Sequence, residues 1–430
     1  MTESNAKEPI TLAIDALSYG AYGIGRREGK AVMVPHTVPG DKVLARTVEK
    51  KGRYEIGELV QVVDPSPERQ DAPCPYVPQC GGCAWQHIRY AAQLKAKQQS
   101  VEDALRRIGK LSGFQMQPII ASSQEYFYRR RIRLQVNENR DVGFYRSGSH
   151  DIVRIESCLI ADPRINSAIP ALRVWLKQIK FPAEYIELVT GDEPNQLVAV
   201  AKIAGRITAE DNPVCEALLT DPSPLNGLVL QSREWRKGWG RTRISIALPD
   251  GLSLSVEADV FTQVNPHANH ALIGELLAAA NFTRQDRVLE LYCGAGNFTL
   301  PIAKRVADVV AVEGSAASIA SGKYSAELNH LENVHWLHAP VPKAVRQLKR
   351  DRGQYSKLVL DPPRTGARDI QDDLASLSID KIFYVSCNPA TLSRDLAALA
   401  QHGYKLTLVQ PIDLFPHTFH VETLALAERS

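Results

Sequence analysis

The chain has 430 residues, 51 Lys and Arg against 48 Asp and Glu, and 44% hydrophobic residues, an ordinary balance for a globular protein. That length suits about two to four domains. No run of about 18 apolar residues occurs, so no membrane span is expected. The opening MTESNAKEP has no apolar stretch of the secretory kind, so a cytoplasmic enzyme is the expectation.

The net charge of +3 is unevenly spread. Between Cys74 and Ile155, 13 Lys and Arg face 6 Asp and Glu, so the remainder sums to −4. A basic block on a near-neutral chain suits a polyanion partner, although a solvated, salt-bridged face has the same count. The seven cysteines, an odd number, argue against a disulfide framework.

Residues 8–64 alternate apolar and polar side chains between turn residues: ITLAIDAL, GAYGIGR, KAVMVPHTV, DKVLARTV and GELVQVV. Five short strands in this space predict a small barrel of the OB type, with Lys50, Lys51 and Arg53 in a loop. A Pro-rich stretch, 65–78, ends that unit. CPYVPQCGGC follows, and then a helical pattern over 87–111. Residues 126–154 combine aromatic and basic side chains in period-2 alternation. Arg129, Arg130, Arg131 and Arg133 are candidates for phosphates, and Tyr126, Tyr128, Phe144 and Tyr145 for stacking on bases. More strands and a helix or two are expected to 264. From 271 helices alternate with the apolar strands RVLEL, DVVAVE, KLVLD and KIFYVSC, the pattern of a doubly wound parallel sheet. The expected fold is thus α/β and multidomain: an OB-type barrel (1–66), a central mixed α/β domain with clustered cysteines (67–270) and a Rossmann-like domain (271–430).

After RVLEL comes Tyr292-Cys293-Gly294-Ala295-Gly296-Asn297, where two glycines let the backbone approach a ligand. Glu313 ends the next strand, 19 residues after Gly294, placed to accept ribose hydroxyls. With no third glycine and no P-loop lysine, S-adenosylmethionine is favoured over a dinucleotide or nucleoside triphosphate. Further on, Asp361-Pro362-Pro363-Arg364, Cys387 and Glu422 follow the last strands, where ligands of such sheets bind. A thiol and a separate carboxylate are what methylation of uracil C5 needs. Thiolate addition to C6 makes C5 nucleophilic, and a base must later remove the C5 proton. A buried inert thiol and a surface carboxylate are the bland counterparts of these two residues. Cys74, Cys80, Cys83 and Cys158 offer four thiolates, enough for an iron–sulfur cubane or for zinc.

LxCGxGNF, DPPRTG, SCNPATL and HVETL together resemble the RNA uracil-5 methyltransferase family, and the likeness runs across almost the whole chain. It implies Cys387 as nucleophile and Glu422 as general base. With the glycine turn at Gly294 and Gly296, it implies cofactor contacts from Gln263, Tyr292, Asn297, Glu313 and Asp361, and places Phe261 beside the base pocket; around Pro340, where the family usually offers a polar or acidic side chain to the cofactor, this chain departs and the contact is unassigned. It also implies a TRAM-like barrel and a [4Fe–4S] cluster on Cys74, Cys80, Cys83 and Cys158, structural or RNA-positioning rather than radical-generating. These point to the branch acting on a specific uridine of 23S ribosomal RNA, with Arg129, Arg130, Arg131, Arg133 and Arg364 toward that RNA. A monomer with no obligate protein partner is expected.

A cytosine-5 enzyme would carry Pro-Cys where Asp361-Pro362-Pro363 stands. An amino-group methyltransferase would carry an aromatic in place of Arg364. A non-catalytic RNA-binding assembly factor would not need Cys387 and Glu422 together.

Overall fold

The computed structural model describes residues 8–220, 222–351 and 353–429. Residues 1–7 of the expected first domain lie outside them. Among the described residues no helix is long and apolar enough to cross a membrane.

Five strands form a closed barrel at the N-terminus: β1 (Ile10–Leu17), β2 (Tyr22–Arg27), β3 (Lys30–Pro35), β4 (Lys42–Lys50) and β5 (Tyr54–Asp64). Their order around the barrel is β1-β2-β3-β5-β4, and the β1–β4 pairing closes it. The alternation seen in the sequence supplies the core. Leu12, Ile14, Val32, Val34, Val43 and Ala45 point inward and are buried. The expected basic loop is the β4–β5 hairpin, where Lys51 pairs with Glu49 and Lys50 with Glu55.

The central region is a seven-stranded sheet in the order 236–240, 227–231, 197–203, 183–190, 131–136, 142–145, 152–154. The helix Pro163–Gln178 covers one face with Ile165, Ile169, Leu172 and Leu176, which recur at helical spacing. On the other face Val189, Val198, Val200 and Val229 share a core with the hairpin 243–257 and the C-terminal region.

That C-terminal region holds an eight-stranded sheet in the order 334–338, 308–313, 287–291, 357–360, 381–386, 422–429, 404–412, 115–116. The first five strands are mutually parallel, and Glu422–Arg429 enters antiparallel to Lys381–Ser386. Burial on both faces explains why Arg287–Leu291, Lys357–Leu360 and Lys381–Ser386 read as apolar runs. The helix Pro266–Ala280, which precedes the strand Arg287–Leu291, spans the boundary expected at 271.

The segment 413–420, between the two antiparallel strands, is gripped from the N-terminal half. The helix α1 (Tyr90–Asp103) buries Lys97, whose Nζ donates to Asp413 Oδ1 at 2.7 Å and to the Phe415 carbonyl at 3.0 Å. Tyr90 donates to Asp413 Oδ2 at 3.0 Å. Gln93 accepts the His417 backbone N–H at 2.8 Å, and Tyr128 donates to the Pro416 carbonyl at 3.1 Å. Both members of the Lys97–Asp413 pair have fully buried side chains, at 0% exposure. Removing one partner strands the other charge in the interior. Lys97→Met is therefore expected to cost about 3–5 kcal/mol of stability, measured by denaturant unfolding.

Candidate active site

The carboxyl ends of the parallel strands open into a cavity of about 750 Å³. Gln263, Tyr292, Gly294, Asn297, Glu313, Asp361, Cys387 and Glu422 all line it, as do Phe261 and Arg364.

The glycine turn is shaped by its backbone. Gly294 and Gly296 have φ of +56° and +101°, and Tyr292 takes φ +61°. A Cβ on Gly296 would come within 3.0 Å of the Trp336 ring, so Gly296 serves close packing behind the turn and is not itself in the cavity wall. A Cβ on Gly294 would instead project into open space, with nothing within 4 Å. Glu313 faces that space and accepts the Gly294 N–H at 3.1 Å and the Ser315 N–H at 2.8 Å. Asn297 is fixed by reciprocal amide bonds with Asn269, 2.8 and 2.9 Å long. Pro340 starts the helix Val341–Arg350 and does not line the cavity.

Cys387 follows the strand Lys381–Ser386 and directly precedes Asn388, which caps the helix Pro389–Gln401 by accepting the Ala390 N–H at 3.0 Å. A helix N-terminus favours a thiolate. The same motif holds the Asp-Pro-Pro-Arg loop. Thr391 Oγ1 and Asn388 Nδ2 donate to the Arg364 carbonyl at 3.2 and 3.4 Å, and Asp395 accepts from the Ala367 N–H and the Tyr384 hydroxyl at 2.6 and 2.7 Å. Gly366, at φ +78°, must be glycine, because a Cβ would meet Asp395 Oδ2 at 2.3 Å.

Burial shifts the ionisable groups of the cavity. Burial pushes the Cys387 thiol up to about 11, the Glu422 carboxyl adds to the rise, and Arg364 opposes it. Burial also raises Asp361, to about 7. Glu422 is raised by burial and by Asp361, with Arg364 again opposing. Arg364 is thus the cation set against the Cys387 thiol and the Glu422 carboxyl. Its guanidinium donates to His420 Nε2 at 3.2 Å. Burial and Arg364 lower that imidazole to about 4, leaving it a neutral acceptor at pH 7. Asn269, His420 and Asp395 escaped sequence reasoning. Asn265 and Asn388, each directly before a helix-starting proline, were the available signal for where the two supporting helices begin.

Two groups of expected site residues fare differently. Arg130 is buried, pairs with Asp192 at 2.9 Å and lines the cavity; Arg131 is half-buried, pairs with Glu187 at 2.8 Å and donates to the Ala258 and Val260 carbonyls. Both guanidinium groups are held by carboxylates of the chain. Arg133 also reaches Glu187 but keeps half its side chain exposed, and Arg129 lines the cavity. The expected iron–sulfur site requires correction. Cys74, Cys80, Cys83 and Cys158 line a second cavity, of about 320 Å³, yet among the described residues no three His, Cys, Asp or Glu form a group that could hold a metal ion. Three of the four sulfurs have local hydrogen-bond partners: the Gly82 amide for Cys80, the Gln86 side chain for Cys83, and the Ile160 and Ala161 amides for Cys158. Burial keeps Cys80 and Cys83 as neutral thiols, pushed up to about 11 and about 12.

Residues 251–430 match the family model described as tRNA (uracil-5-)-methyltransferase. Among curated proteins, the chain is 32% identical to the 23S rRNA (uracil(1939)-C(5))-methyltransferase RlmD of Aeromonas salmonicida, over 99% of this chain and 98% of that one. An uncharacterized RNA methyltransferase of Aquifex aeolicus is 35% identical over 98% and 99%. Among solved structures, the tRNA (uracil-54, C5)-methyltransferase of Pyrococcus abyssi in complex with S-adenosyl-L-homocysteine superposes with a TM-score of 0.74 at 22% identity, over 97% of this chain and 100% of that one, a likeness of fold. Whole-length identity at this level, joined to a strand-end cavity that holds a thiol and two carboxyls, shows that the chain belongs to the RNA uracil-5 methyltransferase family.

Proposed function

We propose that this protein methylates carbon 5 of a uridine in structured RNA, with Cys387 forming a covalent bond to C6 and Glu422 removing the C5 proton. The observation that carries this reading is the shared cavity: a thiol at a helix N-terminus and a buried carboxyl line the same space as the glycine turn and Glu313. Whole-length similarity to enzymes named for uracil 1939 of 23S ribosomal RNA supports that class of target.

The open space over Gly294, facing Glu313, fits an adenosine moiety, and Gln263, Tyr292, Asn297 and Asp361 would complete the hold on S-adenosylmethionine. When bound, that cofactor supplies an electrophilic methyl group for C5. The remaining work falls to the chain. Arg364 favours the thiolate of Cys387 and offsets the enolate charge that addition to C6 produces. Glu422, raised by burial, is a strong proton acceptor once ionised. Taking the C5 proton lets the Cys387 sulfur leave and restores the ring. Phe261, 68% exposed on the cavity wall, offers a face for the unstacked base, while Arg129, Arg133 and Arg364 are the cations left to meet RNA phosphates. Arg130, paired with Asp192, lines the same cavity, and Arg131 braces the Ala258 and Val260 carbonyls beside Phe261. TRAM-like use of the barrel as an RNA platform, a cytoplasmic location, action as a monomer and a three-part division near 66 and 270 belong to the same proposal.

RNA carrying 5-fluorouridine tests the covalent step, because a base cannot remove fluorine as it removes a proton. The wild-type protein should form a cofactor-dependent adduct, located at Cys387 by peptide mass spectrometry; no adduct would leave a non-catalytic RNA-binding role. Cys387→Ala should lose both adduct and turnover while still binding RNA. Glu422→Gln should slow turnover by about two to four orders of magnitude and accumulate methylated, protein-linked RNA. Because the Cys387 thiol is raised, its ionised fraction grows with pH. Single-turnover trapping should therefore accelerate about tenfold per unit from pH 7 to 9. Arg364→Gln removes the opposing cation, so the same curve should move to higher pH, with trapping at pH 8 slower by about tenfold.

A further inference from the structure

The barrel reaches into the active site. Residues 18–21 connect β1 to β2, and the Tyr19 hydroxyl donates to the backbone carbonyl of Cys387 at 2.8 Å, across 368 positions of chain. That carbonyl needs an outside partner. It lies past the last sheet pair, Ser386 with Thr423, and before the first carbonyl of the following helix, Asn388, which accepts the Leu392 N–H.

Both sides of this bond are firmly held. Ser18 donates its N–H and its hydroxyl to the Tyr22 carbonyl at 2.9 and 3.1 Å, closing the turn. Trp85, buried against Val38 and Ile88, donates its indole N–H to the Gly20 carbonyl at 3.2 Å and its backbone N–H to the His417 carbonyl at 3.0 Å. The Tyr19 ring stands edge-on to Phe419 at 5.6 Å, and Phe419 lies 4.2 Å from the His420 ring that accepts from Arg364. The barrel turn therefore touches the thiol-bearing residue directly and its opposing cation through two rings. Burial raises the Tyr19 hydroxyl far above its ordinary value, and the Cys387 sulfur adds to the rise, so Tyr19 remains a donor across the working pH range.

The geometry points to Tyr19 as a positioning residue: its hydrogen bond fixes the Cys387 carbonyl, and with it the backbone that aims the sulfur at C6, which makes the docked barrel part of the catalytic site. This rests on Cys387 being the nucleophile. A thiolate must approach C6 along a narrow range of angles, and small errors of placement cost rate steeply. An unanchored carbonyl lets the residue between strand and helix swing.

Tyr19→Phe in the full-length protein removes the hydroxyl and keeps the ring on Phe419. With saturating 5-fluorouridine RNA and S-adenosylmethionine, the rate constant for covalent trapping should fall roughly three- to tenfold, the usual worth of one hydrogen bond. RNA affinity, cofactor affinity and thermal midpoint should stay at wild-type values. Trapping at the wild-type rate overturns the inference. Weakened RNA binding with an unchanged rate at saturation also overturns it, since Tyr19 would then grip substrate only. A smaller trapped fraction at unchanged rate would mean loss of folded protein and would overturn it too. If wild type itself traps nothing, the nucleophile assignment falls and this inference with it; if wild type traps and Tyr19→Phe matches it, only this inference falls.

Discussion

A single buried ion pair joins the two ends of the chain. Lys97 and Asp413 sit 2.7 Å apart with no side-chain exposure. Burial lowers the Lys97 ammonium, and Asp413 counters that fall. Such a pair adds little net stability over an apolar filling, but it tolerates few alternative arrangements. Asp413 also accepts from Tyr90 and from the Phe415 N–H, so one carboxylate organises the whole turn that ends at Glu422. Glu422 and the arginine's imidazole partner, His420, are thereby set by a helix more than 300 residues upstream.

The active site carries the opposite kind of burial. Cys387, Asp361 and Glu422 are three acids lining one cavity with Arg364 beside them, each raised by burial, and they cannot all ionise at neutral pH. Burial holds Cys387 as a neutral thiol at pH 7 in the resting site. On the proposed mechanism, a base that develops negative charge would change the balance around Arg364. Glu290 extends the theme behind the glycine turn: its buried carboxyl is raised to about 8, so it too is neutral at pH 7.

Much of this was legible in the sequence, for definite reasons. Parallel strands buried on both faces give unbroken apolar runs, and Arg287–Leu291, Asp308–Glu313, Lys357–Leu360 and Lys381–Ser386 fall where those runs predict. The barrel follows from period-2 alternation. What escaped depends on partners distant along the chain. Arg131 looks like a phosphate ligand until the fold brings Glu187 beside it from a neighbouring strand. Four cysteine positions reveal spacing but not whether the fold gathers them into a metal-holding group, and among the described residues it forms none. The Tyr19 contact spans 368 positions and leaves no local pattern at all.

The last strand of the large sheet, Gln115–Met116, is two residues long and pairs in parallel with Leu408 and Val409. Val101, Leu105 and Phe114, just before it, are buried in the same core as Leu358, Tyr384 and Leu406. The fold that looks like a self-sufficient module from 271 onward is finished by residues borrowed from upstream. A fragment cut at 251, where similarity to the family model begins, would bare the Tyr404–Ile412 backbone to pairing with other chains and leave an apolar trough where α1 had lain. Evolution could not readily trade this methyltransferase half between proteins without carrying its upstream belt along.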